Sequence, residues 1–190
     1  MNLQIPDSFP ILKTERLSLR QTNISDSLSF YSMRTDRESM KFMDMEQPKS
    51  IEHARQKIMD EIELFKNKMG IYWTIGSKIN GEYMGGAGFL RLTDQHFRAE
   101  IGYQLDKKFW RQGFAEEALT SIIDFGFNKM NLHSIEANVN PANTPSTNLL
   151  QKLGFKREAH FRENYFFDGK FLDSFIYCLL ISDWTKTKDN

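Results

Sequence analysis

Two dipeptides that favour tight β-hairpins, Asn80-Gly81 and Asp168-Gly169, constrain the fold of this chain more than any other feature. Both are flanked by runs with the length and apolar content of strands. Because a two-residue loop joins antiparallel neighbours, each dipeptide predicts a pair of antiparallel strands. The first pair is predicted at residues 71–75 and 83–92, and a further strand at 99–105 is predicted to pair with the second of these.

The rest of the chain shows helical and strand periodicity in a mixed order. Strands are predicted at residues 14–20 and 135–139. The predicted helices are a short one capped by Ser25 with apolar positions Leu28, Phe30, Tyr31 and Met33, one that begins at Ser50 and is stopped by Gly70, one over 113–130 and one over 143–153. This order predicts an α+β fold and does not match the regular βαβα alternation of a doubly wound sheet.

Composition and charge narrow the class of protein. A chain of 190 residues with 40% hydrophobic residues is expected to form one domain, over residues 1–190, with a core that needs no metal or disulfide. The net charge of zero argues against a nucleic-acid binder, which normally has a basic excess. The only cysteine, Cys178, cannot form an internal disulfide and fits a reducing compartment.

No secretory signal is visible at the start of the sequence, and no run of about 18 apolar residues occurs in it. We therefore expect a soluble cytoplasmic protein that acts without a membrane.

The four histidines are far apart in the sequence and lack ligand-like spacing, so no metal site is expected. Glycines in the run 85–88 hint at a dinucleotide fingerprint, but they lie within a predicted strand and are interpreted as closely packed strand glycines.

The most informative segment for chemistry covers residues 100–119, where a strand leads through a basic loop and Gly113 into a helix. Unpaired N–H groups at a helix start, together with the helix dipole, form a site for phosphate or diphosphate. Lys107, Lys108 and Arg111 add positive charge there, and Ala115 leaves the first turn uncluttered. The spacing alone is equally compatible with an ordinary connection in which Gly113 is only a turn residue.

Within this segment, residues 110–115 read Trp-Arg-Gln-Gly-Phe-Ala. The pattern resembles the acyl-CoA-binding motif of the GNAT N-acetyltransferase superfamily, Arg/Gln-x-x-Gly-x-Gly/Ala. Trp110 replaces the usual first Arg or Gln, as in the ribosomal-protein-alanine N-acetyltransferase branch. Further similarities, in the expected order, are Thr14-Glu15-Arg16-Leu17, Asn143-x-x-Ser146, Lys152-x-Gly154-Phe155, and Asp168-Gly169 with Asp173. The resemblance covers about residues 14–184.

This resemblance implies a three-layer α/β/α fold. Its central sheet is mixed, mostly antiparallel, and splayed between its fourth and fifth strands, with acetyl-CoA as cosubstrate in the opening. The backbone of residues 103–105 is implied to run beside the pantetheine arm, and amides of residues 111–115 to receive the diphosphate. The residues implied to contact acetyl-CoA are Tyr103, Gln104, Leu105, Trp110, Arg111, Gln112, Gly113, Phe114, Ala115, Asn143 and Ser146. Glu116 and Glu117 are expected to face away from the diphosphate.

The implied reaction is direct transfer of acetyl to a primary amine. Glu100 is the candidate general base, because strand alternation places it on one face with Gly102 and Gln104; the alternative is an ion pair with Arg98 or Arg91. Ser146 is a candidate to protonate the departing thiolate or to bond the cofactor, and it is equally explained as an ordinary first-turn serine. A backbone N–H near Leu105 is the expected oxyanion donor.

The acceptor amine is left open by the sequence. The branch resemblance favours the N-terminal amine of a protein, while small amines, amino acids and amino-sugar antibiotics use the same fold. A non-catalytic CoA sensor is the alternative from another class. By family analogy Tyr31, Phe42 and Tyr165 are candidate acceptor-binding residues. The methionines at 33, 40, 43 and 45 suit an adaptable channel or ordinary packing. A monomer or a homodimer is expected, since edge strands in such folds allow pairing.

Overall fold

The computed structural model describes residues 2–188, and the side chains of residues 2–184. Its elements confirm the predicted α+β class. In chain order they are β1 (Leu12–Lys13), β2 (Leu17–Gln21), α1 (Ser27–Thr35), α2 (Ile51–Lys66), β3 (Ile71–Ser77), β4 (Tyr83–Thr93), β5 (Arg98–Leu105), α3 (Phe114–Lys129), β6 (Ser134–Val139), α4 (Thr144–Lys152), β7 (Lys156–Phe167), β8 (Lys170–Leu180) and α5 (Ile181–Lys188).

The eight strands form a sheet in the order β1-β2-β3-β4-β5-β6-β8-β7. Every neighbouring pair is antiparallel except β5 and β6, which are parallel. Both hairpins form where the dipeptides predict them, with Gly81 at φ 71° and Gly169 at φ 75°. These left-handed conformations are ones that glycine adopts without a steric penalty, which explains why the turns favour it.

The sheet is splayed at the junction of β5 and β6. Pairing between them covers only Arg98–Glu100 against Ser134–Glu136. Beyond Glu100, β5 is bonded to β4 alone, as far as Leu105. Counted from β2, the first strand predicted, these are the fourth and fifth strands, so the opening lies where the family resemblance implies.

Helices cover both faces of the sheet and complete the three layers. Trp73 and Ile75 belong to the main core, which is completed by the inner face of α3 around Leu119. Thr74 lies between them on the opposite face, where its hydroxyl bonds Thr22 at 3.1 Å. Thr22 in turn donates to Glu61 of α2 at 3.0 Å. Strand alternation therefore directs one face toward α3 and the other toward α1 and α2.

Several element boundaries differ from the predictions. Asn23, not Ser25, caps the turn that precedes α1, because its side chain accepts from the backbone N–H of Ser25. Leu28 is 64% exposed, since the inner face of α1 is formed by Phe30 and Met33. Strand β1 and helix α5 are additions to the predicted elements.

Gly70 does not stop α2. The helix ends at Lys66 with Asn67 as its C-cap, and Lys68 takes a positive φ of 56°. Gly70 instead allows its backbone to lie close to that of β4, because a Cβ there would lie 2.5 Å from the carbonyl oxygen of Phe89.

No helix in the described part of the chain is long and apolar enough to cross a bilayer.

The glycines of β4 are closely packed strand glycines, as interpreted from the sequence. A Cβ on Gly88 would lie 2.1 Å from the carbonyl oxygen of Ile71 and 2.6 Å from the Cα of Tyr72 on the neighbouring strand. We expect Gly88→Ala to lower the free energy of unfolding by about 2 kcal/mol or more, because backbone atoms must separate to admit the methyl group. Urea denaturation measures this loss.

The matched control is Gly76→Ala, whose Cβ would lie 3.3 Å from the carbonyl oxygen of Ser18 at its nearest contact. Equal losses in the two variants would contradict the assignment of Gly88 to close strand packing.

Candidate functional site

A cavity of about 380 Å³ lies at the opening between β5 and β6. Its walls come from the end of β5, the loop before α3, the first turns of α3 and α4, and the segment that follows α1. The lining residues are Glu38, Ser39, Phe42, Met43, Tyr103, Gln104, Leu105, Phe109, Trp110, Arg111, Gly113, Phe114, Ala115, Glu116, Asn143, Pro145, Ser146 and Leu149. Residues far apart in the sequence thus share one concave surface.

Most of the predicted site residues line this cavity. Those brought together are Phe42, Tyr103, Gln104, Leu105, Trp110, Arg111, Gly113, Phe114, Ala115, Asn143 and Ser146. Glu100, Gln112, Tyr31 and Tyr165 do not line it. Sequence reasoning missed the wall formed by Glu38 and Ser39, where no motif or periodicity marks the chain.

The N-terminus of α3 has no capping side chain. Gly113 occupies the N-cap position at φ 81°, whereas Ser50 caps α2 and Asn143 caps α4 with side-chain oxygens. The first N–H groups of α3 therefore have no side-chain acceptor, and the helix dipole makes this end attractive to an anion. Arg111 has no ion-pair partner among the described residues. These features together suit the binding of an anion at the start of α3.

Arg16 fastens this helix start to β2. Its Nε lies 2.6 Å from Glu117 Oε2, and its Nη1 donates to the carbonyl oxygen of Gln112 at 2.9 Å. The guanidinium also lies 4.3 Å from the ring centroid of Phe114. The Thr14 hydroxyl and the Arg16 backbone N–H donate to the other oxygen of Glu117. The residues of the Thr14–Leu17 motif thus hold the loop and first turn of α3 in place.

The two acidic residues in the first turn of α3 are both paired. Partial burial alone would raise the pKa of Glu117, but hydrogen bonds from Thr14 and Arg16 lower it below its ordinary value. Glu117 faces Arg16 and does not line the cavity. Glu116 does line it, contrary to expectation, with its charge countered by Lys152 Nζ at 2.7 Å.

Trp110 braces the loop against the end of β5. Its indole N–H donates to the carbonyl oxygen of Leu105 at 2.8 Å, and its ring lines the cavity. A side chain at the motif position usually held by Arg or Gln therefore ties the loop before α3 to the splayed strand. Gln112 acts similarly within the loop by donating to the carbonyl oxygen of Lys108.

Two hydroxyl groups meet across the opening of the sheet. The Tyr103 hydroxyl lies 2.7 Å from Ser146 Oγ, and the backbone N–H of Ser146 donates to the Asn143 side chain. Burial raises the pKa of Tyr103 to about 12, against the opposing effect of the Ser146 hydrogen bond. The phenol is therefore protonated near neutral pH and available as a hydrogen-bond donor. Sequence reasoning selected Tyr103 only for its backbone.

Glu100 lies outside the cavity and forms an ion pair with Arg91 at 3.2 Å. Arg98, the other partner considered, pairs with Glu136 instead. The structure thus contains one of the two ion pairs weighed for Glu100. Its role as general base stays a prediction.

The remaining candidates have separate positions. Tyr31 packs against the cluster between α1 and α2. The Tyr165 hydroxyl donates to the carbonyl oxygen of Asp44 at 2.7 Å, which places the β7–β8 hairpin next to the segment after α1. Met43 lines the cavity, while Met33 and Met40 are buried.

Comparison with known proteins gives a family match. The model of the acetyltransferase (GNAT) domain matches residues 16–156. The chain is 35% identical over 172 residues to the uncharacterized N-acetyltransferase YoaA of Bacillus subtilis strain 168, covering 90% of this chain and 97% of that protein. It is 31% identical over 124 residues to the [ribosomal protein uS5]-alanine N-acetyltransferase of Escherichia coli K12, covering 65% of this chain and 64% of that protein.

Solved structures agree in fold. The ribosomal-protein-S5-alanine acetyltransferase from Vibrio fischeri superposes with a TM-score of 0.80 at 23% identity, covering 92% of this chain and 98% of that one. The microcin C7 self-immunity acetyltransferase MccE, crystallised with acetyl-CoA and AMP, gives a TM-score of 0.79 at 18% identity, covering 88% and 94%.

The Glu117 contacts predict a pH-dependent contribution to stability. Because the folded-state pKa is lowered from 4.5, the ionised carboxylate stabilises the fold above that value, and the stabilisation is lost as the pH falls through the lowered pKa. Glu117→Gln should therefore lower the free energy of unfolding at about pH 7, and it should lower it less at about pH 3, where the pH has moved toward or past the lowered pKa. Urea denaturation at both pH values measures this.

The control is Glu52→Gln, since Glu52 is 80% exposed in its ion pair with Arg55 and such pairs contribute little. A Glu117→Gln penalty of equal size at both pH values would contradict the ionic role of this carboxylate.

Proposed function

Since this chain belongs to the GNAT acetyltransferase family, we propose that the amine it acetylates is the α-amino group of a polypeptide. The family assignment makes the chain an N-acetyltransferase that uses acetyl-CoA. The identity of the acceptor is our proposal, and so are the roles given below to individual residues.

Acetyl-CoA is proposed to lie in the cavity with its diphosphate at the start of α3. The amides of Arg111 through Ala115 would receive it, beside the Arg111 side chain. Gly113 fits this role because its φ of 81° is a conformation that glycine adopts without strain, and glycine has no side chain to cover the neighbouring amides. Beyond Glu100, the edge of β5 that faces away from β4 has no strand partner. Its backbone groups can therefore hydrogen-bond the amides of the pantetheine arm of acetyl-CoA.

Acetyl-CoA supplies a thioester whose carbonyl carbon is attacked by the neutral amine. A C–N bond forms, the C–S bond breaks, the nitrogen loses a proton and the sulfur gains one. A backbone N–H near Leu105 is proposed to stabilise the oxyanion. Tyr103 and Ser146, joined at 2.7 Å, are proposed to protonate the thiolate. Glu100 stays a candidate base that would act through water.

The observation that carries the proposed acceptor is the weakness of the bases around the cavity. Among the described lining residues, the groups that could accept a proton are the exposed carboxylate of Glu38, the carboxylate of Glu116, which is paired with Lys152, and Tyr103, which is a protonated phenol; carboxylates are weak bases. An α-amino group, with a pKa of about 7.7–8.0, is neutral in roughly one molecule in seven at pH 7, while a lysine at about 10.4 is neutral in fewer than one in a thousand. A site without a strong base therefore favours the α-amine.

Similarity to relatives supports the same choice. A protein that is 31% identical over 124 residues is named for acetylating an alanine of ribosomal protein uS5. Phe42 and Met43 line the cavity beside Gln104, and such apolar groups suit a small N-terminal side chain such as that of alanine.

The further expectations about context stay proposals. We propose that the catalytic unit spans about residues 14–184, that it works in the cytoplasm without nucleic acid or membrane, and that it is a monomer or homodimer. Cys178 is buried and free, which suits a reducing compartment.

An acceptor screen tests the proposed function. With acetyl-CoA, short peptides that begin with unblocked alanine or serine should release free thiol faster than the same peptides with a blocked N-terminus and an internal lysine. The physical reason is the larger neutral fraction of the α-amine. Faster release with lysine peptides, small amines or aminoglycosides would contradict the polypeptide α-amine as acceptor.

A substitution tests the diphosphate site. Gly113→Asp places a carboxylate at the start of α3, so charge repulsion should abolish measurable acetyl-CoA binding in a calorimetric titration. The matched control is Gly169→Asp, since Gly169 also has a positive φ, of 75°, but lies in the β7–β8 turn. Retained affinity in Gly113→Asp, with a fold intact by circular dichroism, would show that the diphosphate binds elsewhere.

A further inference from the structure

Gln104 carries a buried acceptor atom with no partner. The residue is 5% exposed. Its Nε2 donates to the carbonyl oxygen of Ser39 at 3.2 Å and to Met40 Sδ at 2.9 Å. Its Oε1 is buried without a hydrogen bond, a condition shared among the described side chains only by Arg34 Nε. Buried polar atoms are nearly always satisfied, so an unpaired carbonyl oxygen at a cavity wall calls for a donor from outside the chain.

The position of Gln104 relates this oxygen to the reaction. Tyr103 and Leu105 pack against the main core on the α3 side. Strand alternation directs Gln104 to the opposite face, in agreement with its contacts to Ser39 and Met40. The side chain therefore projects toward the segment after α1, from the strand whose backbone is proposed to run beside the thioester.

The surroundings of the oxygen define the chemistry it would accept. Phe42, Met43 and Ser39 line the same cavity as Gln104, and Glu38 contributes an exposed carboxylate to it. An N–H donor on a small apolar group matches an acceptor oxygen in a cavity that is lined partly by apolar side chains, and the carboxylate attracts a cationic amine as it approaches. Met43 is unbranched and flexible, so this wall repacks at little cost to admit a ligand.

We propose that Gln104 binds the acceptor amine, with its Oε1 accepting a hydrogen bond from the attacking nitrogen. This inference rests on the proposed function and deepens it. A neutral primary amine has two N–H groups and one lone pair. Donation of one N–H to Gln104 fixes the orientation of the nitrogen and leaves the lone pair free for the thioester carbonyl. Gln104 thereby selects amines that carry an N–H next to a small apolar group.

Two variants separate the acceptor oxygen from the donor nitrogen. Gln104→Glu keeps an acceptor oxygen and removes the N–H that bonds Ser39, whereas Gln104→Met removes both groups at similar length. We expect Gln104→Met to raise KM for an alanine-initiated peptide about tenfold, the effect of one hydrogen bond. The Kd for acetyl-CoA should stay within about twofold of wild type, since acetyl-CoA is proposed to contact the backbone of residues 103–105 and not this side-chain oxygen. Gln104→Glu should lower the KM below wild type, because a carboxylate binds an amine more strongly.

Met40→Leu is the matched control. It removes the thioether that accepts from Gln104 Nε2, and Met40 does not line the cavity. We expect its peptide KM and its acetyl-CoA Kd to equal those of wild type.

Three results would overturn the proposal. A tenfold rise in KM for both Gln104→Glu and Gln104→Met would show that binding depends on the N–H group that bonds Ser39. Gln104 would then only position the segment after α1. A matching rise in the acetyl-CoA Kd would assign the oxygen to the cofactor. An unchanged KM in Gln104→Met would leave the oxygen without a role in binding.

If Gln104→Met does not fold, Gln104→Glu alone decides: a carboxylate that binds the amine lowers KM below wild type, whereas an unchanged or raised KM overturns the proposal. The proposed function fails separately, if the wild-type enzyme turns over no peptide α-amine. In that case the Gln104 variants are compared with whichever amine the wild-type enzyme acetylates.

Discussion

The parting of β5 from β6 is the constraint on which the rest of the site depends. Parallel pairing ends at Glu100, so half of β5 keeps backbone donors and acceptors that no neighbouring strand uses. Packing against α3 holds this half in place on the apolar side, through Ile101 and Leu105. The Trp110 indole N–H donates to the Leu105 carbonyl oxygen and so holds the end of β5 in place. An extended ligand can therefore pair with rigid backbone, which limits the entropy lost on binding.

Charge pairing explains how a chain without net charge could hold the anion that we propose binds at the start of α3. The first turn of α3 contains two carboxylates that would oppose a diphosphate, and each is matched, Glu117 by Arg16 and Glu116 by Lys152. What remains is the helix dipole, the uncapped amides beyond Gly113 and the side chain of Arg111. Among the described residues Arg111 has no ion-pair partner, so it adds a positive charge beside this helix start although the chain as a whole has no net charge.

Local sequence signals predicted the parts of this molecule that local physics determines. The hairpin dipeptides, the strand alternation of β5 and the glycine before α3 all act within a few residues, and the elements formed there. The segment 36–46 has no periodicity and takes its position from contacts with β5 and the β7–β8 hairpin, so Glu38 and Ser39 were missed. The Arg16–Glu117 pair joins residues 101 apart, and no spacing rule connects them. The Tyr103 side chain was missed because its partner Ser146 lies on another element across the opening.

We propose that acetyl-CoA lies in the opening of the sheet with its diphosphate on the first amides of α3. A crystal structure of the complex with acetyl-CoA tests this most directly. We expect diphosphate density within hydrogen-bonding distance of the N–H groups of residues 111–115, and the thioester beside Leu105. Density for the nucleotide on another face of the sheet, with these amides bonded only to solvent, would contradict it.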